Sequence, residues 1–221
     1  MSRATLEGLF SDADQEAIRQ HVAAAETRTA GEVVPYVVAI SGSYAGAPWR
    51  GAALGAVLTA VAAAMLHTLE GFWGGSPWLW GVLPTAAGAV LGLLACTLFP
   101  GPRRWCIPGE QIEEQVELRA AAAFVEAEVF DTRDRTGVLL FISLFEHRVL
   151  VMADSGIHAR VSQHAWDHIA TDLAAGIKAG RLTPALLEAI EAVGGLLEEK
   201  GVERRADDVN ELADGVRLGD G

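Results

Sequence analysis

Residues 51–69 and 77–99 carry no Lys, Arg, Asp or Glu, whereas the chain on either side alternates polar and apolar positions as soluble helices and strands do. A bilayer core of roughly 30 Å is crossed by about 20 helical residues, so each apolar stretch is long enough to span it. The link 70–76 (EGFWGGS) is short and glycine-rich, which makes the two helices antiparallel neighbours in one membrane hairpin. Trp49, Trp73, Trp78, Trp80 and Trp105 flank the stretches, where indoles settle at headgroup level. Gly51 with Gly55, and Gly88 with Gly92, have the spacing of small residues that lets embedded helices approach closely. Pro84 interrupts the second stretch, a kink that neighbouring groups in a bundle accommodate.

Before the hairpin, Ser11 and Asp14 have the spacing of a capping box, and Ile18, Val22 and Ala25 form one stripe of a helix running to about Thr29. Gly31 stops it. Residues 33–40 (VVPYVVAI) are a β-branched run suited to a strand, and Pro35 marks it as an edge strand or a strand start. After the hairpin, Pro100-Gly101-Pro102 and Pro108-Gly109 bracket a turn. Glu110, Glu113, Glu114 and Glu117 then load the start of a helix with charge its dipole favours. Ile112, Val116, Ala120 and Ala123 are its core side.

Residues 137–143 (GVLLFIS) are nearly all apolar, the pattern of a central strand buried on both faces. A polar turn at 146–148 joins them to 149–153 (VLVMA) as an antiparallel hairpin. Ile157, Val161, Ile169, Leu173 and Ile177 make one helical stripe. Thr183 caps a last helix with Pro184 at its first position, and Leu186, Ile190, Val193 and Leu197 face inward. Residues 202–221 are charged and poor in large apolar side chains, and read as a frayed tail. A helical crossover makes the first two strands parallel. The order predicts an α/β fold, a three-layer α/β/α sandwich with a small mixed sheet, interrupted by the hairpin. Its parts are 1–48 and 106–201 for the soluble domain, 49–105 for the hairpin and 202–221 for the tail.

A net charge of −12 over 221 residues argues against nucleic acid and against a basic surface on anionic lipid. Arg50 precedes the first apolar stretch, Arg103 and Arg104 follow the second, and the link has no basic residue. Both ends are therefore expected in the cytoplasm. The stretch before the hairpin is polar, so no cleavable signal peptide is expected, and the first span would direct insertion. Cys96 and Cys106 lie in no CxxC motif, which implies reduced thiols rather than zinc or a catalytic thiol.

Strand directions place Glu32, Asp134 and Asp154 at one end of the sheet, with Asp131 close by. Carboxylates converging from loops suit a hard cation such as Ca2+ or Mg2+. The opposite end, with Ser41 to Tyr44 and Glu146-His147, leads into the membrane and so obstructs the usual ligand crevice of open α/β sheets. Of His158, His164 and His168 only the last two share a helix face, so they do not make a zinc site. His67 sits near the outer end of the first span without an acidic partner, an interfacial residue rather than a proton relay. The chain has no P-loop, nucleophile elbow or zinc-protease helix.

Residues 26–34 (ETRTAGEVV), 136–143 (TGVLLFIS) and 148–157 (RVLVMADSGI) together resemble the TPM-domain family, in the family's order and on both sides of the hairpin. The resemblance implies an α/β/α sandwich. It also implies upkeep of membrane complexes such as photosystem II, accessory roles beside membrane receptors, divalent metal binding or acid phosphatase activity. Where many members have Asn-Gly before the central strand, this chain has Thr136-Gly137. The expected function is a membrane-anchored module that binds a divalent metal or protein partners, with a membrane protein as partner. The alternative is a metal-assisted phosphatase acting through Asp131, Asp134 and Asp154.

Overall fold

The computed structural model describes residues 6–70, 77–202, 204 and 211–219. The link between the apolar stretches, with Trp73, lies outside them apart from Glu70. The described chain is mixed α/β. Its order is α1 (Asp12–Glu26), β1 (Glu32–Val38), α2 (Ala47–Glu70), α3 (Pro77–Leu98), α4 (Pro100–Trp105), α5 (Gly109–Glu126), β2 (Gly137–Ser143) and β3 (Arg148–Ala153). Then come α6 (Ser155–His158), α7 (Gln163–Lys178), α8 (Leu182–Glu199) and β4 (Arg217–Gly219). The chain divides into two compact units, Met1–Gly42 with Glu114–Gly221, and Ser43–Glu113.

In the first unit α1 opens on the expected box: the Asp14 amide donates to Ser11 Oγ at 3.2 Å and the Ser11 amide to Asp14 Oδ2 at 2.9 Å. These bonds satisfy amides that a helix start otherwise leaves open. The sheet has the order β3-β2-β1-β4, with β1 and β2 parallel and β2 and β3 antiparallel. Both pairings match the expectation from connection length. Val33, Val37, Val138, Leu140 and Ile142 pack with Ile18 and Val22 of α1, Leu173 of α7 and Ile190 of α8. The alternate residues Val34, Tyr36, Leu139 and Phe141 are buried as well. From that second face the Tyr36 hydroxyl donates to Glu126 of α5 at 2.7 Å and accepts from Arg119 at 3.1 Å.

Two expectations need correction. Within 202–221, of which 203, 205–210, 220 and 221 lie outside the described residues, Arg217–Gly219 is not a frayed tail, because it pairs in parallel with Tyr36–Val38 as the fourth strand. A three-residue strand is too short to leave an alternating pattern, and Arg217 is held by a 2.6 Å bond to the Ala127 carbonyl. The second correction concerns Pro35, because β1 is an interior strand. The Glu32 amide donates to the Thr136 carbonyl, and the Val38 carbonyl accepts from Leu144, so even-numbered residues of β1 bond toward β2. Pro35 faces the other side, where β4 begins only opposite Tyr36. Its missing N–H therefore costs no ladder bond.

Smaller differences are local. The sequence around Pro100-Gly101-Pro102 forms the short helix α4 rather than a turn. Arg181, not Thr183, occupies the cap of α8, which places Pro184 in the first turn, where its amide would have no helical partner in any case. The stripe from Ile157 to Ile177 is split between α6 and α7.

The second unit contains α2 and α3, two helices long and apolar enough to cross a membrane over Ala47–Leu69 and Trp78–Leu98. Only 6% and 11% of their most apolar windows are buried. Along their contact, a Cβ on Gly55 would fall on the Gly88 carbonyl, and one on Gly92 on the Gly51 carbonyl. The small-residue spacing thus marks the line of closest approach.

Candidate acidic site

Glu32 opens β1 opposite Gly137 of β2, and the amide of Asp154, just beyond β3, donates to the Gly137 carbonyl at 2.9 Å. Two of the expected carboxylates therefore flank one residue at one end of the sheet. Asp154 is the cap of α6: its Oδ1 accepts from the Ser155 amide at 2.6 Å and the Ser155 hydroxyl at 3.1 Å. Arg135 Nη1 lies 3.7 Å from its other oxygen. Asp131 is exposed in the turn after α5, and its amide donates to the Glu128 carbonyl. Asp134 is half-buried, with its carbonyl packed so closely on Gly156 that a Cβ there would collide with it. Among the described residues no three of His, Cys, Asp and Glu stand together in a group able to hold a metal ion. Glu32, Asp131, Asp134 and Asp154 are thus not assembled as one such group.

Glu32 is instead paired with a residue that the pattern reading did not select, Glu26 in the last turn of α1. Glu26 and Glu32 are 8% and 6% exposed. Glu26 Oε1 accepts from the Val33 amide at 3.1 Å, and Glu32 Oε1 from the Glu211 amide at 3.2 Å. The remaining oxygen of each is buried with no hydrogen-bond partner among the described residues other than the neighbouring carboxyl, since the two side chains hydrogen-bond to each other. Burial, reinforced by the charge of Glu32, pushes the Glu26 carboxyl up to about 8. Burial raises Glu32 as well, opposed by the amides of Glu211 and Leu212. At neutral pH the pair therefore retains a proton. One signal for Glu26 was available in the sequence: a carboxylate in the last turn of a helix sits against the negative end of the dipole. Such a placement calls for a compensating environment.

The opposite end of the sheet holds a second buried carboxylate. Glu146 is fully buried, its Oε1 accepting from the Ser41 amide at 2.8 Å and its Oε2 from the Ser143 hydroxyl. The Ser41 and Ser143 hydroxyls stand 2.8 Å apart. This network ties the carboxyl ends of β1 and β2 through satisfied partners, which is the requirement for a stable buried acid. The histidines are peripheral: His168 Nδ1 lies 2.9 Å from Asp172 Oδ2, with both side chains 70% exposed.

No family model matches the chain, and no curated protein matches it. Among solved structures it is similar to the NMR structure of the BA42 protein from the psychrophilic bacterium Bizionia argentinensis, with a TM-score of 0.56 and 16% identity over 95% of each chain. At that identity the likeness concerns the fold alone.

Proposed function

We propose that the chain is a membrane-anchored, TPM-like module that takes up a divalent cation and a protein partner in assisting the assembly or maintenance of a membrane protein complex. In this reading the soluble unit is a three-layer α/β/α sandwich. Support comes from α1, α7 and α8 on one face of the sheet and the Tyr36–Glu126–Arg119 contacts to α5 on the other. The apolar helices form the membrane hairpin, with Trp49, Trp78 and Trp105 exposed at 72%, 64% and 81% beside them. Arg50, Arg103 and Arg104 set both termini in the cytoplasm.

The observation that carries the cation is the buried, adjacent carboxyl pair of Glu26 and Glu32, whose second oxygens have only each other and a shared proton as partners among the described residues. Hard cations are bound through oxygen, with water completing a shell that protein groups leave open. The pair fits Ca2+ or Mg2+ in donor type and charge, and the cation would replace the proton the pair retains. A phosphatase reading has less support, because Asp154 is engaged by Ser155 and Arg135. Calorimetric titration of the full chain in detergent with CaCl2 and with MgCl2 tests this site. The expected result is binding with proton release that disappears in Glu26→Gln. Absence of binding, or equal binding by that variant, overturns it.

A further inference from the structure

The strand β3 ends the sheet, and its pairing with β2 fixes which of its backbone groups are free. Ala153 stands opposite Val138, while the Asp154 amide bonds to the Gly137 carbonyl. In an antiparallel ladder this makes Val138 and Ala153 a non-hydrogen-bonded pair. Val149, Val151 and Ala153 therefore point their N–H and C=O groups away from β2, toward the open edge. Edge strands are ordinarily blunted by lysine, proline or a bulge. Here the sequence from Arg148 to Ala153 (RVLVMA) has its one charge at the start and no proline.

A groove of about 620 Å³ runs along this edge. Leu118 and Ala121 of α5 and Leu150 and Met152 of β3 form its apolar floor, with Trp166 of α7 on the other side. Leu118 is 60% exposed, and Trp166 Nε1 is buried without an acceptor among the described residues. Glu114 and Glu117 of α5 also line it, exposed and without an ion pair among the described residues, together with His158 and Gln163.

We infer that the groove beside β3 docks an extended segment of a protein partner, added as a further strand, with apolar residues on the floor and lysine or arginine opposite Glu114 and Glu117. Strand addition supplies main-chain bonds to Val149, Val151 and Ala153, and alternate side chains of the segment supply specificity. The charge selects a basic partner over a second copy, because two copies would bring the same acidic rims together. The inference deepens the partner-binding half of the proposed function and rests on that reading. Its test is separate, since cation uptake at Glu26 and Glu32 can fail with segment binding intact.

The experiment uses the full chain in detergent, a hexapeptide of valine with lysine at its first and third positions, so that the two lysines and the fifth-position valine share the strand face turned to α5, and the same peptide with glutamate for lysine. The lysine peptide should bind, slow hydrogen exchange at the amides of Val149, Val151 and Ala153, and leave the even-numbered amides of β3 unchanged. Ala153→Pro removes one outward donor without touching the β2 ladder and should weaken binding about tenfold, the value of one lost main-chain bond at its upper range. Glu114→Lys with Glu117→Lys, on an exposed face of α5, should transfer the preference to the glutamate peptide, with an unchanged circular dichroism spectrum as the check that the variant is folded. Equal binding of both peptides, protection elsewhere, or edge protection arising from self-association without peptide would each overturn the proposal.

Discussion

Gly55 of α2 and Gly88 of α3 meet so closely that a Cβ added to either would strike the other's backbone carbonyl. In the proposed membrane hairpin, the helix pair would gain no hydrophobic drive from burying leucine, and close backbone packing is what would hold it together. Gly88→Ala is expected to destabilise the hairpin by about 1–3 kcal/mol, the usual cost of overpacking. Gly81→Ala, on the same helix but with open space around it, should be silent. Thermal unfolding of both variants in detergent measures the difference, and equal melting temperatures would contradict the contact.

The Glu26 carboxyl gives a pH dependence whose sign is fixed. Its folded value is raised to about 8 by burial and by Glu32, whereas an unfolded glutamate titrates near about 4.3. Between those values the folded chain holds a proton that the unfolded chain releases, so stability falls as pH rises. Below that window the penalty is absent; above it the penalty is complete. Denaturant midpoints should decline from about pH 4.3 to about 8. Glu26→Gln, neutral and of the same shape, should flatten the decline and be the more stable chain at pH 8.

Which parts of this were legible depended on how much pattern each element leaves. Ile18, Val22 and Ala25, or the unbroken run from Val138 to Ile142, repeat often enough to fix an element and its buried side. Arg217–Gly219 does not, because three residues carry no period and their pairing with Tyr36–Val38 is decided by the sheet. The acidic end shows the same limit. Glu32 and Asp154 were placed at one end by strand direction alone, which is a backbone property. Whether their side chains meet depends on rotamers and caps, and Asp154 turned to Ser155 while Glu32 turned to Glu26.

Glu146 should behave oppositely to Glu26 on removal. It accepts from the Ser41 amide and the Ser143 hydroxyl while fully buried. Glu146→Ala leaves the half-buried Ser41 amide without its acceptor and the Ser143 hydroxyl with only the Ser41 hydroxyl 2.8 Å away, a loss of about 1–3 kcal/mol. Glu146→Gln keeps the volume and one acceptor and should recover part of that loss. Equilibrium denaturation at one pH separates the cases, and an alanine variant as stable as the parent would refute the clamp.

Cys96 in the last turn of α3 and Cys106 at the end of α4 place their sulfurs 3.3 Å apart, and both are free thiols. That separation needs only a small movement of the two side chains to reach the bonding distance of about 2.05 Å. Diamide should therefore oxidise the pair within one chain, the two thiols losing their hydrogens as diamide is reduced to the hydrazine. Maleimide labelling after unfolding in denaturant should fall from two sites to none, and dithiothreitol should restore both. Cys106→Ser should leave Cys96, buried beside Gly51, slow to label without denaturant and unable to form the bond. Cross-linked dimers on a non-reducing gel, in place of loss of label within the monomer, would show that the two sulfurs do not meet in the same chain.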